Sequence, residues 1–168
     1  MVVFPTARRR VICAMNEALW WVSAYVVALV VHELGHLIAA RSTGIRVERA
    51  AIFFDANDWA WWRCRRGPTT YVVGWLPLGA YVRLAGMLDL GRKRLPGTIW
   101  GARLHQALLV LAAGTAANLL VAAVAAPLSP LCPFVLVNAG LGLLQLLPVP
   151  GTDGWQIVQH LRWWRRQV

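Results

Sequence analysis

The stretch VVHELGHLIAA, Val30 to Ala40, sets two histidines and a glutamate inside a run that otherwise reads as lipid-soluble. The apolar segment around it, from Ala18 to Ala40, meets the roughly 20 residues that a bilayer-spanning helix needs. An ionisable side chain at mid-span costs on the order of 3 kcal/mol, so His32, Glu33 and His36 together demand a compensating partner. In a helix, His32 and His36 fall one turn apart on the same face, roughly 6 Å along the axis. That spacing lets both imidazoles bind one zinc ion, and Glu33, beside the first of them, is placed to take a proton from the activated water as general base.

Two histidines leave a catalytic zinc one protein ligand short of its usual three. Asp153, in PVPGTDGW, is the only acidic residue after Asp89 and follows the proline-rich end of an apolar stretch. It reads either as a turn residue or N-cap of a terminal helix GWQIVQHLRWWRR, or as the third ligand. The missing ligand favours the metal role. Asn118, in GTAAN, is a lone amide in an apolar helix; it either hydrogen-bonds a neighbouring helix or donates to a substrate carbonyl and the oxyanion formed there. Gln145 likewise has two readings, an interhelical bond or a contact to an exposed substrate backbone. His105 and His160 lie near expected span ends, where snorkelling to the interface accounts for them.

With 58% hydrophobic residues and ten tryptophans among 168, and a mean hydropathy of +0.53, the chain is too apolar for an ordinary soluble domain of its size. Two further apolar stretches, Leu104 to Ala126 and Leu131 to Leu147, complete an expected set of three spans at about 18–40, 104–126 and 131–147. The first is read as a retained span rather than a cleaved signal peptide, because it is too long, carries charges and lacks a small-residue cleavage site. Between the first two stretches, residues 41 to 103 hold eleven of the Lys and Arg residues, whereas the linker PLSPLCP holds none. The positive-inside rule therefore expects a cytoplasmic loop, an external linker and a cytoplasmic C-terminal RWWRRQV, against the contrary pull of Arg8, Arg9 and Arg10. Because the basic residues flank apolar spans and form no reader motif, the charge of +10 does not indicate nucleic acid. Cys13, Cys64 and Cys132 have no CxxC spacing and read as small apolar filler, not a disulfide framework.

Within the loop, RSTGIRVERAAIFF favours a strand ending near Phe54, DANDWAWWRCRRGP reads as a polar and aromatic turn region, and TTYVVGWLPLGAYVRLAGM reads as one or two strands punctuated by Gly74, Pro77 and Gly79. Trp59, Trp61, Trp62 and Trp75 suit a bilayer interface. The fold expected is thus an α-helical integral membrane protein: one domain over residues 1–168, a core of three transmembrane helices, and a membrane-associated β-hairpin or loop at about 45–88 between the first and second helices.

These motifs, in this order, resemble the site-2 proteases, intramembrane zinc metalloproteases of peptidase family M50. VVHELGHLIAARSTGIRVER is similar to the family's first core helix and the segment just after it, GWLPLGAYVRLAGM to its membrane-associated β-loop, GTAAN to its GPxxN helix, and LLQLLPVPGTDGW to its NxxPxPxLDG segment. The resemblance runs from about Tyr25 to Gln156. It implies His32, His36 and Asp153 as ligands of Zn2+, Glu33 as catalytic acid/base and Asn118 as an active-site asparagine. It also implies an active site within a bacterial cytoplasmic membrane, toward the cytoplasmic side. The substrate implied is a peptide bond in a partner's transmembrane segment, with Gly79, Tyr81 and Gln145 as expected substrate-binding residues; the edge of the expected hairpin, around Tyr71 to Leu84, is suited to capture the unwound segment by β-addition. The chain departs from the pattern at Thr115, where the family has proline, at Gln145, where it has asparagine, and at Thr152, where it has leucine. PLSPLCP is too short to hold a PDZ domain, so a minimal form is expected, with a separate regulatory or PDZ-bearing partner. The rival reading is a catalytically inactive scaffold that binds metal or a partner helix.

Overall fold

The computed structural model describes residues 7–55, 59–88, 93–129 and 132–167, with side chains from residue 15 onward. Asp89, Arg92 and Leu131 lie outside these residues. Four helices, α1 (Ala7–Thr43), α2 (Leu104–Ala125), α3 (Pro133–Gln145) and α4 (Asp153–Arg165), accompany four strands, β1 (Val47–Phe54), β2 (Ala60–Arg66), β3 (Thr69–Gly74) and β4 (Leu76–Leu84).

This corrects the expected three-helix membrane core with a hairpin. Only α1, over Met15–Thr43, and α2 are long and apolar enough among the described residues to cross a membrane. The third stretch yields a helix of 13 residues, roughly 20 Å against the roughly 30 Å of a bilayer's hydrocarbon. Proline sets both of its limits. Pro133 occupies the first turn, where a missing N–H is harmless, and Pro148 and Pro150 prevent the helix from continuing into α4. Outward faces of the long helices are apolar: Trp20, Val22 and Ile38 on α1 and Leu120 and Val124 on α2 are each at least 60% exposed, as lipid contact requires.

The β region is likewise more than a hairpin or loop: it is a mixed sheet of order β2-β3-β1-β4. β1 pairs parallel with β3 and antiparallel with β4, so it separates the two strands that sequence places next to each other. The hairpin is formed by β2 and β3 instead, turning at Gly67, whose φ is 57°. To pass from β3 to β4 the chain crosses the end of β1 so closely that a Cβ on Gly74 would stand 2.4 Å from the Phe54 carbonyl carbon and oxygen. Gly74→Ala is therefore expected to destabilise the protein by about 1–3 kcal/mol, read as a lowered thermal midpoint in detergent.

The core forms where the helix ends meet the sheet. Leu37, Ala40, Ile45, Val47, Leu84, Trp100, Val110 and Trp163 pack there as one cluster. His160 belongs to it. It is 1% exposed and stacked 4.8 Å from the Trp100 ring, so interfacial snorkelling does not describe it. β4 runs along α1 at the edge of this cluster, which brings a strand edge to the HExxH turn.

Candidate metal centre

Helix α1 presents His32 and His36 inward, 3% and 9% exposed, with their Nε2 atoms 3.2 Å apart. Asp153 reaches the same point from the start of α4: Oδ2 lies 3.3 Å from His32 Nε2 and Oδ1 3.3 Å from His36 Nε2. A metal with ligands at roughly 2.0–2.1 Å in tetrahedral array holds its donor atoms about 3.3 Å apart. Each histidine stands at about that spacing from the other and from its nearer Asp153 oxygen, with one donor atom from each residue falling within 4.8 Å of the others, and the set of two imidazoles and a carboxylate suits zinc with a position left open.

Surrounding groups orient these donors. His36 Nδ1 lies 2.7 Å from the Val110 carbonyl oxygen and so donates to it, leaving Nε2 as the free acceptor. Asn118, fully buried, places its side-chain nitrogen 3.3 Å from His32 Nδ1, on the far side of the ring from Nε2. Asp153 is not the N-cap of α4. Thr152 is, accepting from the Trp155 backbone N–H at 3.3 Å, which leaves the Asp153 carboxylate free to face the histidines. Burial by itself would raise the Asp153 pKa, but with the imidazoles of His32 and His36 protonated and hydrogen-bonded to it their pull outweighs burial and holds the carboxyl below its ordinary range. Gln145 Oε1 accepts from the Asp153 backbone N–H at 3.4 Å, and Thr115 Oγ1 donates to Asp153 Oδ2 at 3.1 Å.

Close backbone approach makes the centre compact. A Cβ on Gly114 would stand 2.3 Å from His36 Nε2 and 2.8 Å from His32 Nε2, so only glycine lets α2 pass beside the donors. Gly154 plays the same part for Asp153: its Cβ would meet the Leu146 carbonyl oxygen at 2.2 Å. In the sequence Thr115 stands out only as a departure from the family pattern, and neither glycine carries a metal signature. No pattern in the sequence marks them, because glycine stands beside a polar residue elsewhere too, as in Gly97-Thr98 and Gly151-Thr152.

The donors open on a cavity of about 400 Å³ lined by His32, Glu33, His36, Gln145, Asp153 and, along one wall, Ala80 to Leu84 of β4. Glu33 thus shares the cavity with the donors and faces the wall that carries Val82 of β4. Of the expected substrate-binding residues, Gln145 and Tyr81 line this space and Gly79 does not. The Tyr81 hydroxyl donates to Asp55 Oδ1 at 2.9 Å; burial, then that bond, raises its pKa and keeps it a donor. Gly79 lies under the Phe54 ring, 2.7 Å from where its Cβ would be. His105 is exposed, and Cys64 and Cys132 are free thiols.

A family model described as peptidase family M50 matches residues 21–132. Among curated proteins, the chain is 43% identical to Protease RseP of Yersinia pestis over 74 residues, 42% of this chain and 16% of that protein. It is 31% identical to Zinc metalloprotease Rip1 of Mycolicibacterium smegmatis over 102 residues, 58% of this chain and 25% of that protein. Regulator of sigma-E protease RseP of Escherichia coli is 40% identical over 74 residues, again 42% and 16% of the two chains. These matched regions are about a sixth to a quarter of the relatives' lengths. Asp153 and Gln145 fall beyond the residues that the family model matches, and the fold brings Asp153 to the histidines and Gln145 to Asp153.

Proposed function

The chain belongs to peptidase family M50, and from that premise we propose that it is a zinc metalloprotease that hydrolyses peptide bonds within the transmembrane segments of membrane proteins. The observation that carries this reading is the convergence of His32, His36 and Asp153 at metal-ligand spacing in a cavity that also holds Glu33. Its expected place is a bacterial membrane, with α1 and α2 spanning and the cavity toward the cytoplasmic side, as the basic residues between them indicate.

A zinc ion held by the three side chains would supply Lewis acidity, polarising the scissile carbonyl and lowering the pKa of the attacking water. The rest falls to the protein. A transmembrane helix hides its carbonyls in its own hydrogen bonds and must be locally unwound before attack. β4 is an edge strand whose residues 80–84 line the cavity, so its outer edge accepts an unwound segment as an added strand beside Glu33. Of the sequence expected to do this, Tyr71 to Gly74 lies inside the sheet, which narrows the capture edge to β4. Glu33 takes a proton from the attacking water and delivers it to the leaving amine. The oxyanion role for Asn118 requires its amide to reach the substrate, yet the side chain lies beneath His32 and outside the cavity lining. Holding the His32 ring is the role this placement supports, with the amide oxygen turned toward an Nδ1–H when Nε2 binds metal.

The test combines elemental analysis with a cleavage assay on the detergent-purified chain. About one zinc per chain, lost in a His32→Ala/His36→Ala double variant, together with cleavage of a model transmembrane substrate by wild type alone, is expected. Metal-replete, folded wild type without zinc would overturn the reading. Zinc without cleavage would leave the metal-binding scaffold.

A further inference from the structure

The two histidines and the aspartate are not held equally well by their own backbone. His32 and His36 project from the middle of the long helix α1, whereas Asp153 is the first residue of α4, reached through the irregular segment from Leu146 to Thr152. A ligand at such a place needs support from elsewhere in the fold if its carboxylate is to face the histidines before metal arrives. Thr115 supplies a bond of the right kind. It lies within α2, is 3% exposed, and its Oγ1 stands 3.1 Å from Asp153 Oδ2, across 38 positions of sequence.

An ionised carboxylate only accepts hydrogen bonds, so the hydroxyl must donate. A threonine in a helix ordinarily donates its single hydroxyl proton to the carbonyl four residues back, here Leu111, and the bond to Asp153 takes that proton instead. Gln145 supports the same residue from the other side through the Asp153 backbone N–H. Two of the positions at which the chain departs from the site-2 protease pattern therefore converge on one ligand, and proline at 115 would offer it no donor.

We propose that Thr115 is a positioning residue for the metal centre, its hydroxyl fixing the Asp153 carboxylate in the orientation that completes the ligand set with His32 and His36. The inference rests on the metal reading given under the proposed function, and its test separates the two. Zinc affinity of the full chain in detergent is measured by competition with a fluorescent chelator, for wild type, Thr115→Val, Thr115→Ser and each change in an Asp153→Ala background. Near-UV circular dichroism checks that each variant is folded. Valine keeps the branched shape and loses the donor, so Thr115→Val is expected to weaken zinc binding about 10-fold or more, while Thr115→Ser stays within about threefold of wild type. Once Asp153 is alanine, Thr115→Val is expected to have no further effect. Wild-type affinity in Thr115→Val, failure of serine to preserve affinity, or an equal loss without Asp153 would each overturn the inference while leaving the metal reading intact. Wild-type protein that takes up no zinc would overturn both.

Discussion

Replacing Glu33 by glutamine is expected to reduce cleavage of a transmembrane substrate by roughly 10²- to 10⁴-fold, the range that a positioned general base contributes, while zinc content stays at the wild-type level. The substitution is nearly isosteric, so the wall between α1 and β4 has no cause to move. What it removes is basicity, because an amide cannot take a proton from water at neutral pH. His32, His36 and Asp153 are untouched, and their mutual spacings involve no atom of Glu33. Cleavage and zinc content measured on the same preparation give the answer. Undiminished cleavage would remove Glu33 from the mechanism, and loss of zinc along with activity would make its role structural.

The local parts of this site were open to sequence reading, and the non-local parts were not. HExxH declares itself because one helical turn fixes the relation between His32 and His36 whatever the rest of the chain does. Asp153 was reached by counting ligands. Its freedom from capping was not legible, since Thr152 and Asp153 are both good N-cap residues and only the fold shows Thr152 in that place. The sheet failed to declare itself for two different reasons. In β2, Trp61, Trp62, Arg63, Arg65 and Arg66 are all exposed, so no alternation of apolar and polar residues marks AWWRCRR as a strand. Between β3 and β4 only Trp75 intervenes, which suggests a hairpin, but β1 enters from more than twenty residues upstream and separates them. The third apolar stretch misled by composition: its residues suit lipid, yet prolines at both ends leave a helix too short to span.

Gly114→Ala is expected to weaken zinc binding by about 100-fold or more and to abolish cleavage with it, the largest effect foreseen for a single methyl group. The added carbon would stand 2.3 Å from His36 Nε2, 2.7 Å from His36 Cδ2 and 2.8 Å from His32 Nε2, inside contact distance of both donors at once. Neither ring has room to yield. His36 is held by the Val110 carbonyl oxygen at 2.7 Å, and His32 is backed by Asn118. Nor is separation of α1 from α2 cheap, since Gly35 already brings the helices together, with the Ala113 carbonyl oxygen 2.5 Å from where its own Cβ would be. Helix propensity pulls the other way, as alanine in a helix interior is favoured over glycine by about 1 kcal/mol. Gly140→Ala, in α3, isolates that propensity term, because nothing lies within 4 Å of its added carbon. That variant should be as stable as wild type or more so and bind zinc normally. Chelator competition on the pair decides the matter: if Gly114→Ala behaved as Gly140→Ala does, the donors would not converge beside Gly114, and the metal centre would have to be placed elsewhere.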